Sequence, residues 1–201
     1  PLTVMGRIDG SQFCDSQTRA IEAEGILEYT YRTEGSAPIY ILKTPIGEEQ
    51  DLDINQRNPI TLPGPVKIDI IPDAYLTRNV YNPNLISNIF VFIKFRDVGE
   101  GDASVSRVEL KQITPEGVSP LGFKGCSGPV TDPGKIENGN IVITPEKGFV
   151  KLSSTERSGT ILCEFTIPEG IEAELSTFII TGTATYEYQL SRESSSVIID
   201  P

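Results

Sequence analysis

Two groups of carboxylates are the residues of this chain best suited to bind a ligand. Asp51 and Asp53 lie in a charged stretch, and Asp97, Glu100 and Asp102 follow an apolar run. Calcium takes several oxygen ligands from loops, so these five side chains are candidate calcium ligands. Their spacing matches no EF-hand, because the glycine and the terminal glutamate of that loop are absent. Solvated loop charge is the alternative interpretation, and a glycosidase-type acid/base pair would need two of these carboxylates in one cleft.

The composition lacks the side chain that enzymes most often use for proton transfer. The chain contains no His and no Trp, one Met and three Cys. Without histidine, neither a Ser-His-Asp arrangement nor a histidine metal site can form. The cysteines include no Cys-x-x-Cys pair, so zinc is not predicted. We therefore expect a protein that is not an enzyme and that has no cofactor, with calcium as the one candidate ion.

The three cysteines lie far apart in the chain, at Cys14, Cys126 and Cys163. Cys126 lies in a turn-rich stretch, and Cys163 lies in an apolar run typical of a strand. A composition typical of secreted proteins favours a disulfide between Cys126 and Cys163. Three free thiols are the alternative. Cys14 would be free or intermolecular, or it would be the true partner of one of the other two.

The net charge and the tyrosines bear on the kind of partner. A formal charge of −11 disfavours nucleic acid and anionic lipid, both of which bind basic surfaces. No apolar run approaches the ~18 residues that a membrane-spanning helix needs. The seven tyrosines either form a stacking platform for sugars or pack within a sheet.

Short runs rich in Val, Ile and Thr, separated by Gly and Pro, predict strands and turns. The period-2 pattern of residues 89–95 is apolar on both faces, which predicts a central strand. Including those in the N-terminal region, about ten strands are predicted, at the spacing expected of a sandwich. They predict an all-β, antiparallel β-sandwich of Ig-like or jelly-roll type. After residue 65 the predicted strands are 66–71, 89–95, 105–110, 141–143, 149–152, 161–167, 177–190 and 197–199.

Two regions are predicted, an N-terminal extension over residues 1–65 and the sandwich over residues 66–201. A helix is predicted over residues 17–24, because a capping residue precedes it and a glycine follows it. A strand over residues 2–8 is a further interpretation. The proline-rich residues 44–65 are the predicted connection between the two regions.

A Tyr-x-Tyr pattern occurs twice, at residues 29–31 and 186–188. The first predicts a hairpin over residues 26–43 that turns at Glu34-Gly35-Ser36, and the second predicts a hairpin that ends with residues 197–199. Because a lone hairpin is marginal in water, the first would pack on the sandwich or exchange with another copy.

One segment carries a resemblance to a known family. In residues 88–103 an apolar strand runs into Asp97-x-Gly99-x-Gly101-x-Ala103. This resembles the strand–turn–strand of Ig-like, adhesion-type domains in archaeal and bacterial cell-surface proteins, where Asn is usual at the position of Asp97. The resemblance implies an Ig-like fold, an extracellular or cell-surface location, and a structural role in surface layers, stalks or filaments. Because the motif specifies a turn, it bears on fold more than on function.

The chain ends suggest how such a protein could assemble. Apolar residues alternate at both termini, at Leu2 and Val4 and at Val197 and Ile199. A terminal strand either completes its own sheet or adds to the open edge of a second copy, giving a head-to-tail homopolymer. We therefore expect a subunit of a filament, pilus-like or surface-layer assembly joined by donor-strand addition. The alternative is a non-catalytic adhesion module that binds carbohydrate or protein.

Overall fold

The computed structural model describes residues 19–21, 24–42, 64–73, 80–83, 87–146, 151–152, 158–171, 174–193 and 197–199. Within these ranges the chain forms thirteen strands and no helix, which confirms the predicted all-β class. Accordingly, the described part contains no helix that could span a membrane. The chain forms two compact units, Glu28–Leu190 and the two chain ends, Pro1–Leu27 with Ser191–Pro201.

The strands differ widely in length, from two residues to the 19 residues of the second and twelfth strands. In chain order they are β1 (Arg19–Ile21), β2 (Glu24–Leu42), β3 (Val66–Pro72), β4 (Val80–Tyr81), β5 (Asn88–Asp97), β6 (Asp102–Ile113), β7 (Gly122–Ser127), β8 (Val130–Glu137), β9 (Asn140–Pro145), β10 (Lys151–Leu152), β11 (Ser158–Thr166), β12 (Leu175–Glu193) and β13 (Val197–Ile199).

Two sheets build the larger unit. The seven-stranded sheet has the order β4-β2-β12-β6-β9-β8, with β10 also paired to β6. The four-stranded sheet has the order β3-β5-β11-β7, so β5 is central, as predicted. Neighbouring strands pair antiparallel at nearly every ladder, and β2 with β4 is the parallel exception at Tyr40 and Ile41.

Apolar side chains from both sheets meet in one core. In β3, Val66, Ile68 and Ile70 are buried while the residues between them face outward, as strand geometry requires. Each fully buried side chain of this size stabilises the fold by roughly 1.5–3 kcal/mol. The sheets therefore pack as a β-sandwich, which confirms the predicted architecture. The largest buried side chains include Phe95, Phe165, Phe178, Tyr186 and Ile39.

The predicted turn at Glu34-Gly35-Ser36 is wrong, because these residues continue β2 without interruption. Gly35 is buried, and a Cβ atom there would collide with the backbone carbonyl oxygen of Ile68 in β3. Glycine in a strand can mark such a close approach of two backbones as readily as a turn. The predicted hairpin over residues 26–43 is therefore part of one long strand.

The predicted helix over residues 17–24 is wrong where the structure describes it. Arg19–Ile21 forms β1, and Glu24 begins β2. β1 pairs antiparallel with β13, with Arg19 opposite Ile199 and Ile21 opposite Val197. Pairing with the far end of the chain thus overrides a weak local helix signal.

The second predicted hairpin is also wrong. β12 runs as one strand through both tyrosines of residues 186–188, and it lies beside β2 and β6 in the sheet. The expected hairpin partner, β13, pairs with β1 instead.

Several predictions lie outside the described residues. They concern Leu2, Val4, Asp51, Asp53 and most of the connection over residues 44–65. The division into residues 1–65 and 66–201 therefore stays a prediction.

Candidate functional site

Four tyrosines form a cluster between β2 and β12, on the core side of the seven-stranded sheet. Ring centroids lie 5.5 Å apart for Tyr29–Tyr188, 5.7 Å for Tyr31–Tyr186 and 6.1 Å for Tyr29–Tyr31. These separations are typical of attractive aromatic pairs. The cross-strand pairs place Tyr29 opposite Tyr188 and Tyr31 opposite Tyr186, so β2 and β12 run antiparallel. The repeated Tyr-x-Tyr pattern is thus one tyrosine cluster built from two neighbouring strands.

Hydroxyl groups of this tyrosine cluster hold nearby backbone in place. The Val66 N–H donates to Tyr186 Oη at 3.4 Å, and the Gly101 N–H donates to Tyr188 Oη at 2.6 Å. In the same turn, the Gly99 N–H donates to Asp97 Oδ1 at 2.9 Å. The predicted turn between β5 and β6 is therefore fixed by one carboxylate and one phenol.

The predicted calcium ligands are only partly within the described structure. Asp97 is 6% exposed and serves the turn, Glu100 is exposed, and Asp102 is half-buried at the start of β6. Among the described residues, no three His, Cys, Asp or Glu side chains converge in the manner of a metal site. Since Asp51 and Asp53 lie outside this part, calcium binding stays a prediction.

A groove of about 300 Å³ crosses β2, β12 and β6 on the outer face of the seven-stranded sheet. The β12–β6 register places Glu187 opposite Ser104. It likewise places Gln189 opposite Asp102, so the groove contains two rows of residues across these strands. Because alternate residues of a strand share a face, the antiparallel tyrosine pairs also fix the position of β2. Its residues Glu28 and Thr30 each extend one of these two rows. The groove is lined from these rows by Glu28, Thr30, Asp102, Ser104, Glu187 and Gln189.

The carboxylates of this groove are available to a ligand. Glu28, Asp102 and Glu187 have no ion-pair partner in the part of the chain that the structure describes. Tyr29 and Tyr188 border the groove as well, and their rings belong to the tyrosine cluster on the core side of the sheet. Three carboxylates beside hydroxyl and amide groups can accept hydrogen bonds from ammonium, guanidinium or sugar hydroxyl groups. We call this surface the carboxylate groove.

Two phenols of the tyrosine cluster have pKa values above the ordinary value for tyrosine. Burial raises the pKa of Tyr186 to about 12, and the neighbouring tyrosines add to this, while the Val66 N–H acts in the opposite direction. Burial likewise raises the pKa of Tyr29, with smaller contributions from Tyr188 and Tyr31. Tyr186 and Tyr29 therefore stay uncharged at neutral pH.

We expect stability to fall between pH 10 and about pH 12, the ordinary and the raised pKa of Tyr186. The unfolded chain ionises first, so this contribution is complete below pH 10 and is lost as the pH rises through the folded-state pKa. Urea denaturation across this range, on wild type and Tyr186→Phe, measures the effect. The variant should show a shallower pH dependence, and identical slopes would contradict the assignment.

Cys126 of β7 and Cys163 of β11 form a disulfide, which confirms the predicted pair. They lie directly opposite each other in the antiparallel register, with Cα atoms 4.0 Å apart. Cys126 is thus part of a strand, whereas its glycine-rich surroundings predicted a turn. The bridge lies within the four-stranded sheet and therefore ties an edge strand to its neighbour.

The predicted strand-exchange residues of the C-terminus lie in a small terminal sheet. Val197 and Ile199 belong to β13, which pairs with β1. Among the described residues, β1 and β13 are each other's only strand neighbours. We call this pair the terminal sheet.

Comparison with protein-family models, curated proteins and solved structures finds no match to this chain. The resemblance to Ig-like cell-surface domains therefore stays a prediction. The function has to be argued from the carboxylate groove, the disulfide and the terminal sheet.

Sequence reasoning found Asp102 but missed the other carboxylates of the groove. Glu28 precedes the first Tyr-x-Tyr pattern, and Glu187 is the middle residue of the second. If the tyrosines point inward, alternation places both glutamates on the outer face. That signal was present, but using it requires knowing that the two patterns lie on adjacent strands.

Proposed function

We propose that this protein is a non-catalytic, extracellular structural subunit whose copies join by β-strand addition into a filament, pilus-like or surface-layer assembly. The observation that carries the proposal is the terminal sheet, in which β1 and β13 pair over three residues each. A two-stranded sheet is marginal in water. A strand from a second copy would extend it and satisfy backbone groups at its edges.

The residues proposed for strand addition are those at the chain ends. Val197 and Ile199 lie in β13, and Leu2 and Val4 are proposed as a donor strand on the basis of their alternation. Donor and acceptor surfaces differ in a contact of this kind, so it produces an open chain of copies wherever the rotation between them does not close a ring.

Two properties support an extracellular location. The Cys126–Cys163 disulfide is compatible with an oxidising compartment. The net charge of −11 favours solubility at a surface exposed to solvent.

Ile198→Pro tests the proposal, because proline removes an N–H from the β13 ladder. Negative-stain electron microscopy and mass photometry should show assemblies of the wild type and monomers of the variant. Thermal unfolding of the sandwich should be unchanged, because β13 belongs to the other compact unit.

Glu116→Pro is the matched control. It lies in the turn closed by the Val118 N–H to the Pro115 carbonyl, where Gly117 has φ 75°. Proline is favoured at this position of such a turn, so this variant should assemble normally. A wild type that stays monomeric at high concentration, with and without Ca²⁺, would overturn the proposed function.

A binding module is the second candidate, favoured by the carboxylate groove. Glu187 and the neighbouring Gln189 could together hold a sugar through hydrogen bonds to its hydroxyl groups. A glycan array with wild type and Glu187→Gln tests this function. Hits that the variant loses would support it, and no hits with wild type would exclude it.

A further inference from the structure

The outer face of the four-stranded sheet carries an apolar strip across its centre. Ile71 of β3, Phe92 of β5 and Leu162 of β11 lie in one register row, and Phe90 lies beside them. Ile71 is 45% exposed and Phe90 is 37% exposed. An indentation of about 220 Å³ lies next to Phe90 and Leu162. Exposed apolar residues that adjoin one another on a sheet are typical of a docking surface.

Cationic side chains surround this apolar strip. Arg96 pairs with Asp69 at 2.7 Å, and Lys124 pairs with Glu164 at 3.3 Å. Lys67 and Lys94 have no ion-pair partner within the described ranges. The strand residues of this face thus carry four cations and two carboxylates, in a chain whose net charge is −11. We call this surface the basic face; its charged residues are Lys67, Lys94, Arg96, Lys124, Asp69 and Glu164.

We infer that the basic face of one copy docks onto the carboxylate groove of a second copy. Lysines without partners on one surface match carboxylates without partners on the other, Glu28, Asp102 and Glu187. Charge complementarity of this kind selects the partner and its orientation. The inference rests on the proposed function, and it adds a second contact to strand addition.

The placement of the two surfaces determines the form of the assembly. The basic face is the outer face of the four-stranded sheet, and the carboxylate groove is on the outer face of the seven-stranded sheet. They therefore lie on opposite sides of the sandwich, and one copy presents both. Because the two surfaces face in opposite directions, copies joined by this heterologous contact stack head to tail in an open chain rather than a ring.

Two charge-reversed proteins test the inference. The basic-face variant is Lys67→Glu/Lys94→Glu, and the groove variant is Glu28→Lys/Glu187→Lys. Each variant alone should assemble only at a protein concentration at least about tenfold higher than the wild type needs. Mass photometry and sedimentation velocity measure this concentration. Wild-type assemblies should weaken as salt is added, because exposed charges are screened.

Mixing the two variants gives the sharper result. The reversed basic face of one protein then meets the reversed groove of the other, and their unaltered surfaces also match. An equimolar mixture should therefore assemble at near wild-type concentration, with the two proteins alternating. Lys111→Glu/Lys135→Glu is the control, since it changes net charge as much as the basic-face variant does and lies on the seven-stranded sheet.

Each outcome distinguishes the inference from the proposed function. Assembly of both charge variants at wild-type concentration would show that these surfaces serve another occupant and would overturn the inference alone. A mixture that does not regain assembly would also overturn it, provided that thermal unfolding shows both variants to be folded. A wild type that never assembles would overturn the proposed function and the inference together.

Discussion

Reduction of the Cys126–Cys163 disulfide should lower the free energy of unfolding by about 3–4 kcal/mol. The bridge closes a segment with a sequence separation of 37 residues, so its loss returns loop entropy to the unfolded chain. For a domain of this size the melting temperature should fall by about 6–16 °C. Urea and thermal denaturation with and without reductant measure both quantities.

Two variants isolate the effect of the cross-link. Cys14→Ser should lose the same stability on reduction, because the third cysteine takes no part in this bridge. Cys126→Ala/Cys163→Ala should be insensitive to reductant. Equal stability of the oxidised and reduced wild type would contradict the expected entropic role of the bridge.

Gly35→Ala should destabilise the sandwich by about 1–3 kcal/mol or more, as overpacking does. The added Cβ would collide with the backbone carbonyl oxygen of Ile68, and it would lie 3.1 Å from the Ile68 Cγ2 atom. Because the clash is with the backbone of β3 and not with a flexible side chain, a strand has to move. In an ordinary strand interior the same substitution stabilises by roughly 0.5–1 kcal/mol, so the sign of the effect is diagnostic. Urea denaturation measures it.

Ser36→Ala is the matched control for Gly35→Ala. Ser36 is the next residue of β2, and it faces the other side of the sheet and is only half-buried. Its substitution should change the unfolding free energy by no more than about 0.5 kcal/mol. A Gly35→Ala protein as stable as wild type would show that β2 and β3 do not approach as described.

The strands of the sandwich were largely readable from local pattern. Residues 66–71 were predicted as a strand, and they lie in β3, where Val66, Ile68 and Ile70 are buried. The apolar residues on both faces of 89–95 correctly predicted a central strand, β5. These predictions succeeded because side-chain alternation is a property of consecutive residues.

The errors occurred where one local signal has two physical causes. Gly35 predicts a turn from the sequence. In the structure a glycine is required there because the backbone of Ile68, which is distant in the chain, leaves no room for a Cβ atom. Arg19–Ile21 follows a helix-capping signal, yet it pairs with Val197–Ile199. In both cases the deciding partner comes from another part of the chain, so neighbouring residues cannot reveal it.

For the site, too, some features follow from the sequence alone and others depend on partners from distant parts of the chain. Residue types alone established an acidic chain without histidine, strands with defined inner and outer faces, and Cys126 and Cys163 as the favoured disulfide pair. Bringing Glu28, Glu187 and Asp102 into one groove required the order β2-β12-β6 and its register. Strand order and register follow from the packing of the whole core, because many long-range contacts must be satisfied together. Side-chain alternation depends only on consecutive residues, so it can be recognised in the sequence before the fold is known.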